Sequence, residues 1–117
     1  MARLSTHVLD TSLGMPARGV HIELHILAEG GSRRVALHTT NAEGRTDVPL
    51  LEGDRLEAGV YELVFHAGDY FRAAGVVLPD PPFLDRVVVR IGIADATGDY
   101  HVPLLISPYG YSTYRGS

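Results

Sequence analysis

The sequence contains no cysteine among its 117 residues, which excludes disulfide bonds, thiolate metal sites and a cysteine nucleophile. Its apolar runs, such as residues 87–89, are far too short to cross a bilayer, so no membrane partner is expected. The N-terminal residues include one basic residue, Arg3, but no apolar segment of the kind found in a secretory signal. A peroxisomal Ser-Lys-Leu ending is missing as well. We therefore expect a cytoplasmic protein.

An excess of basic charge is also lacking. The formal net charge is −4, and acidic and basic residues are mixed along the chain. Because no basic stripe suits a phosphate backbone, nucleic acid is not an expected partner. The serine nucleophile motif Gly-x-Ser-x-Gly is absent too. A small neutral or anionic ligand would have to be bound by a local group of side chains.

What the sequence does have is alternation of apolar and polar residues with a period of two, which is typical of half-buried strands. Turn signals rich in glycine and proline separate the alternating segments. Eight short stretches of this kind in one chain predict an all-β sandwich or barrel that forms a single domain, residues 1–117. The stretches are residues 4–10, 20–27, 34–38, 45–48, 61–66, 87–93, 101–106 and 110–114.

One segment, residues 68–75, departs from this alternation. Asp69 is a plausible helix N-cap and Gly75 a plausible stop, so the segment predicts a helix of at most two turns. In the strand at 34–38, the alternation predicts that Val35 and Leu37 face the core. The expected architecture is therefore all-β with one short helix.

The chain has six histidines, and three polar residues of one strand raise the question of a metal site. His21, Glu23 and His25 alternate on one strand face, and imidazole and carboxylate groups bind zinc. Residues two apart on a strand lie roughly 7 Å apart, however, and a tetrahedral site needs a further ligand. A solvated strand face is the favoured interpretation and a zinc site the alternative. His38 and His66 also have the pattern of outward-facing positions.

The strongest candidate residues lie on other strands. His7 and His101 alternate with the apolar residues of their strands and are predicted to face outward, while Arg45 follows a turn. The C-terminal run, residues 109–117, is aromatic, β-prone and carries a cation, Arg115. Chain ends are usually frayed and polar, and this one is not. The run is therefore predicted to take part in the protein's function; the alternative is an ordinary edge strand.

Taken together, these residues resemble a known family. The segments that carry the resemblance are residues 4–11, 14–17, 43–45, 100–108 and the ending Tyr-Arg-Gly-Ser at 114–117. They are similar to the transthyretin-related family and, more narrowly, to its enzymatic branch, the 5-hydroxyisourate hydrolases of urate degradation. The resemblance covers essentially the whole chain. One mild departure is glutamate at position 43, where the family more often has aspartate.

The resemblance implies a fold, an assembly and an activity. The fold is a transthyretin-like sandwich of two four-stranded sheets with one short helix, and the assembly is a homotetramer, a dimer of dimers with active sites where the dimers meet. The activity is hydrolysis of a cyclic amide of 5-hydroxyisourate to 2-oxo-4-hydroxy-4-carboxy-5-ureidoimidazoline, without a metal or an organic cofactor. The alternative, from the other branch of the fold, is a binding protein that transports small ligands.

It also implies roles for particular side chains. Two imidazoles would manage the attacking water and the proton transfers, although the resemblance does not say which of them is the base. A guanidinium would hold the substrate carbonyls and would keep a neighbouring imidazole neutral. The implied catalytic residues are His7, Arg45, His101 and Ser117, and the implied substrate-binding residues are His7, Arg45, Tyr114 and Arg115.

Overall fold

A computed structural model describes residues 2–117 as two β-sheets packed face to face. Beside the strands it contains one α-helix, α1 (Ala67–Ala73), and a single 3₁₀ turn at Gly53–Arg55. The strands are β1 (Arg3–Asp10), β2 (Met15–Pro16), β3 (His21–Ala28), β4 (Gly31–Thr39), β5 (Leu51–Glu52), β6 (Gly59–Phe65), β7 (Val87–Ile93), β8 (Asp99–Ser107) and β9 (Gly110–Thr113). The all-β sandwich with one short helix is thus confirmed.

The first sheet has the strand order β2-β1-β8-β9, with β5 also paired to β1, and the second has the order β4-β3-β6-β7. Strands β1 and β8 run parallel, whereas every other named strand pair is antiparallel. The first sheet has five strands instead of the expected four because β5 pairs with the start of β1 and β2 with its end. The predicted strand at 45–48 is reduced to one bridge, between Arg45 and His7.

Alternation along β1 and β8 decides which side chains face the core. The even-numbered residues of β1 are buried and its odd-numbered residues are half-buried or exposed. In β8, likewise, Tyr100, Val102 and Leu104 are buried, while His101 is half-buried on the opposite face. Because successive side chains of a strand point to opposite faces, His7 and His101 both lie on the outer face of the first sheet, as predicted.

Strand β4 does not follow the predicted alternation. Its register against β3 shifts between Leu24 and His25, which leaves Val35 as an extra residue in a β-bulge. Leu37 consequently pairs with Glu23 on the outer face and is 59% exposed. The prediction that Leu37 faces the core is therefore wrong, and so is the outward placement of His38, which shares a face with the buried Ile22.

Helix α1 connects β6 and β7 and begins earlier than expected. Its N-cap is His66, so the assignment of Asp69 as N-cap is wrong. Asp69 lies inside the first turn, where a carboxylate interacts favourably with the helix dipole. The helix ends before Gly75, whose positive φ of 88° continues no right-handed helix. No helix in residues 2–117 is long and apolar enough to span a membrane.

A buried carboxylate attaches this helix to the first sheet. The hydroxyl of Tyr70 donates a hydrogen bond of 2.7 Å to one oxygen of Asp10, at the end of β1. The other oxygen of Asp10 accepts hydrogen bonds from the backbone and the hydroxyl of Ser12. Since Asp10 is almost completely buried, both its oxygens need these partners.

Candidate active site

Four segments of the first sheet bring the candidate side chains together on its outer face. Arg45 forms a bridge with His7 on β1, β1 pairs in parallel with β8, and His101 on β8 forms a bridge with Gly116. The register pairs His101 with Ser5, two residues before His7. The two histidines are therefore diagonal neighbours, which on one sheet face lie about 7–8 Å apart.

A cleft of about 260 Å³ opens on this face. It is lined by charged and hydroxyl side chains, with few apolar groups. Its lining residues include Arg45, His101 and Ser117. His7 lies beside Arg45 but does not line the cleft. The other residues that line the cleft are Arg3, Ser5, Thr6, Thr46, Asp47, Val48, Pro49 and Asp99.

The turn before Arg45 is held by a single asparagine. The side-chain oxygen of Asn41 accepts hydrogen bonds from the backbone N–H groups of Glu43 and Arg45, at 2.9 and 3.2 Å. Its backbone N–H donates to the carbonyl of Arg45 at 2.7 Å. Gly44, in the middle of this turn, accepts a hydrogen bond from the backbone N–H of Val8. These bonds fix the backbone of Arg45 against β1.

His101 is held on two sides. Its Nδ1 is 2.8 Å from the hydroxyl oxygen of Ser5. On the other side the C-terminal segment crosses close by, because the backbone N–H of Gly116 donates to the carbonyl of His101 at 2.8 Å. A Cβ atom at position 116 would lie only 2.8 Å from Cδ2 of His101, so glycine is needed for this close approach.

The environment keeps both imidazoles neutral near pH 7. Partial burial lowers the pKa of His7, and the nearby charge of Arg45 lowers it further, against an opposing interaction with the backbone of Glu43. Burial, then Arg45, and then His7 likewise lower the pKa of His101, and Asp99 opposes them. The effect of the guanidinium was expected from the sequence, but burial lowers both pKa values more than Arg45 does. Both rings are thus available to accept a proton.

Replacing Arg45 by glutamine is expected to raise the pKa of both His7 and His101 toward the ordinary value of about 6.5, because a repelling positive charge is removed. Each ring would then become protonated at a higher pH than in the unmodified protein. The change can be followed by NMR titration of the imidazole carbon-bound protons. Arg86→Gln, which removes an exposed arginine outside the cleft, is the matched control. Unchanged pKa values in Arg45→Gln would contradict the electrostatic coupling.

The tail residues divide between two places. Ser117 lines the cleft with His101. The guanidinium of Arg115 instead lies 4.5 Å above the ring of Tyr100, and Tyr114 is 61% exposed. Both line a different, more apolar cleft of about 330 Å³ that also contains residues 89–92 of β7. His101 lines this second cleft as well, so within one chain Tyr114 and Arg115 share a cleft with His101 but not with Arg45.

Several residues of the cleft were missed by sequence reasoning, above all Ser5 and the ion pair between Arg3 and Asp99, whose atoms are 3.1 Å apart. A signal for Ser5 existed, since it lies two residues before His7 and therefore on the same strand face. The parallel register that places Ser5 beside His101 could not be read from the sequence.

The three polar residues of β3 are arranged differently from a metal site. One carboxylate oxygen of Glu23 lies 3.0 Å from Nε2 of His25, and the other lies 2.6 Å from Nε2 of His66, so both oxygens already have a partner. The ring of His21 meets that of His66 edge to face, with centroids 6.2 Å apart. Among residues 2–117, no group of three or more histidine, aspartate or glutamate side chains is placed to hold a metal ion.

Comparison with known proteins shows which family the chain resembles over its length. The sequence pattern of the HIUase/Transthyretin family matches residues 4–116. The chain is 64% identical over 117 residues to 5-hydroxyisourate hydrolase 2 of Rhizobium meliloti (strain 1021), covering 98% of this chain and 96% of that protein. A solved 5-hydroxyisourate hydrolase of Klebsiella pneumoniae has a TM-score of 0.81 and 39% identity, over 99% of this chain and 100% of its own.

A second solved structure, an (S)-allantoin synthase, has a TM-score of 0.92 and 42% identity. The match covers 98% of this chain but 43% of the synthase chain, so the sandwich corresponds to less than half of that longer protein. The family resemblance inferred from the sequence motifs is confirmed by the match over residues 4–116. The chain belongs to the HIUase/Transthyretin family.

Proposed function

We propose that the chain is a hydrolase of 5-hydroxyisourate, which adds water to a cyclic amide of the substrate and yields 2-oxo-4-hydroxy-4-carboxy-5-ureidoimidazoline. The observation that carries the proposal is the placement of Arg45, His7 and His101 side by side on one outward sheet face. The names of its close relatives support the same reaction. The reaction is a step in the degradation of urate, and hence of purines.

The chemistry needs a proton acceptor for water, a proton donor for the leaving nitrogen and a positive group near the developing oxyanion. The imidazoles supply the acceptor, because their lowered pKa values leave them unprotonated before reaction, and the imidazolium formed when one of them takes a proton supplies the donor. One imidazole takes a proton as the water oxygen bonds to the carbonyl carbon, and a proton is returned to nitrogen as the carbon–nitrogen bond breaks. Arg45 binds the carbonyl oxygens through its planar fork of N–H donors. No metal or organic cofactor takes part.

Binding roles follow from the same cleft. Ser117 lines it, and in this proposal its hydroxyl orients the substrate. Tyr114 and Arg115 line the neighbouring cleft, which shares His101 but not Arg45, and in this proposal they act on the substrate in a neighbouring copy. Tyr114 is well exposed and thus free to contact such a copy.

The proposed assembly is a homotetramer, a dimer of dimers whose active sites lie where the dimers meet. Strands β7 and β9 each have a neighbour on only one side, and such edges are ready to pair with another strand. Exposed apolar side chains near the first sheet give a further surface to cover, among them Leu13, Met15, Tyr109 and Tyr111. Light scattering should then give about four times the chain mass of 12.7 kDa.

The deciding experiment follows the ultraviolet decay of 5-hydroxyisourate, freshly generated from urate by urate oxidase, with and without the protein. We expect the protein to accelerate the decay strongly over the spontaneous reaction. Folded tetrameric protein that gives no acceleration would contradict the proposal and favour a ligand-binding channel. That alternative fits less well, because the cleft is lined by arginine, aspartate and histidine and an apolar ligand would find few partners there. A cytoplasmic location stays a prediction of the sequence, to be tested by cell fractionation.

A further inference from the structure

We propose that Ser5 is a positioning residue for His101, holding its ring so that the lone pair of Nε2 faces the cleft. In this arrangement Nδ1 carries the proton and donates it to the hydroxyl oxygen of Ser5. The inference deepens the proposed hydrolase function and rests on it for its kinetic consequence. The structural part of the proposal, which ring nitrogen of His101 carries the proton, does not depend on any substrate.

The contact between Ser5 and His101 results from the parallel register of β1 and β8. Ser5 on β1 is directly paired with His101 on β8, and their side chains lie on the same outer face. The hydroxyl oxygen is 2.8 Å from Nδ1, both residues are half-buried, and both line the cleft. No other hydrogen bond is made by the Ser5 hydroxyl or by Nε2 of His101 within residues 2–117. Nε2 is thus the ring nitrogen that remains available to a ligand.

The charges around the ring select the tautomer. A serine hydroxyl can donate or accept, so the contact alone allows either ring nitrogen to carry the proton. Arg3 is neutralised by its ion pair with Asp99, and Asp47 accepts a hydrogen bond from Asn41. Arg45, in contrast, makes no ion pair within the described part of the chain, and His7 beside it is neutral. Of the charged groups that act on His101, Arg45 has the largest effect, and its positive charge favours a lone pair over an N–H group on the nitrogen that faces it.

The arrangement assigns a direction to proton transfer at His101. The free lone pair of Nε2 takes a proton from the attacking water while the water oxygen bonds to the substrate carbonyl carbon. The imidazolium that forms keeps its Nδ1–H bond to Ser5 and returns the Nε2 proton to the leaving nitrogen. Ser5 on one side and the backbone at Gly116 on the other prevent the ring from turning.

The test uses Ser5→Ala and Ser5→Thr, with Ser32→Ala as the matched control. Ser32 is exposed on β4 in the other sheet, outside the cleft. Ser5→Ala is expected to lower kcat about tenfold, with KM changed less than about twofold, because one hydrogen bond that orients the base is lost. Ser5→Thr, which keeps the hydroxyl, and Ser32→Ala should both stay within about twofold of the unmodified protein.

A second measurement does not depend on turnover. Nitrogen-15 NMR of His101 in the unmodified protein, at a pH where the ring is neutral, should show a protonated Nδ1 and an unprotonated Nε2. Ser5→Ala should show a mixture of the two tautomers, and Ser5→Thr the original one. A protonated Nε2 in the unmodified protein overturns the proposal whether or not the protein hydrolyses 5-hydroxyisourate. So do unchanged kcat and tautomer in Ser5→Ala. If the alanine variant fails to fold, the unmodified protein and Ser5→Thr still decide the question.

Discussion

His101→Asn is expected to reduce kcat/KM for 5-hydroxyisourate by about 10²- to 10⁴-fold, the usual contribution of a side chain that transfers protons. Asparagine is polar, smaller than histidine and able to keep a hydrogen bond with Ser5, so the sheet should remain intact. Its amide, however, neither accepts nor releases a proton near neutral pH. The measurement is the ultraviolet decay assay on the purified protein, with circular dichroism to show that the fold is retained.

His21→Asn is the control for this variant. His21 is exposed on β3 in the second sheet and hydrogen-bonds Thr39 at 2.8 Å, so its loss should leave hydrolysis within about twofold. His7→Asn should resemble His101→Asn if both imidazoles take part. Full activity of His101→Asn with an unchanged pH profile would remove His101 from the mechanism.

Both the stability and the activity of the protein are expected to fall as the pH is lowered below neutrality. Both histidine pKa values are lowered in the folded protein, so the unfolded chain binds more protons once the pH falls below about 6.5. Stability contributed by the neutral rings is therefore complete above that pH and declines as the pH falls toward the folded pKa values. Activity should decline over the same range, because a protonated imidazole accepts no proton from water.

Much of the outer face of the first sheet could be predicted from the sequence. A period of two fixes which side of a strand each residue occupies, so the outward positions of His7 and His101 followed from their apolar neighbours. The same rule failed in β4, because the bulge at Val35 reverses the faces of the residues that follow it. A bulge depends on the pairing with β3 and leaves no clear signal in β4 alone.

The parts of the site that were not predicted depend on contacts between distant segments. Arg115 stacks over Tyr100 because the tail crosses the beginning of β8, a path that composition does not reveal. The contact between Ser5 and His101 depends on the register of a parallel pair 96 residues apart in sequence. By contrast, the turn around Gly44 combines local signals, asparagine and glycine, and these indicated a turn before Arg45 correctly.

Gly44→Ala is expected to destabilise the protein by more than about 3 kcal/mol, a large loss for a small domain. Two effects add. Gly44 has a φ of 75°, a left-handed conformation that costs an alanine roughly 1–2 kcal/mol. A Cβ atom at this position would in addition overlap the carbonyl oxygen of Val8, within β1, and lie 3.3 Å from the ring of His7. Urea denaturation at equal protein concentration measures the loss, since the stability of an oligomer depends on concentration.

Gly14→Ala separates the two effects. Gly14 has nearly the same φ, 67°, yet a Cβ atom there meets no other atom within 4 Å. Its substitution should cost only the conformational penalty, roughly 1–2 kcal/mol, and should leave hydrolysis unchanged. Gly44→Ala should be the less stable variant and should also lose activity in its folded fraction, because relief of the overlap moves Arg45 and His7 apart. Equal losses of stability in the two variants would show that the close approach of this turn to β1 is not what holds Arg45 at the cleft.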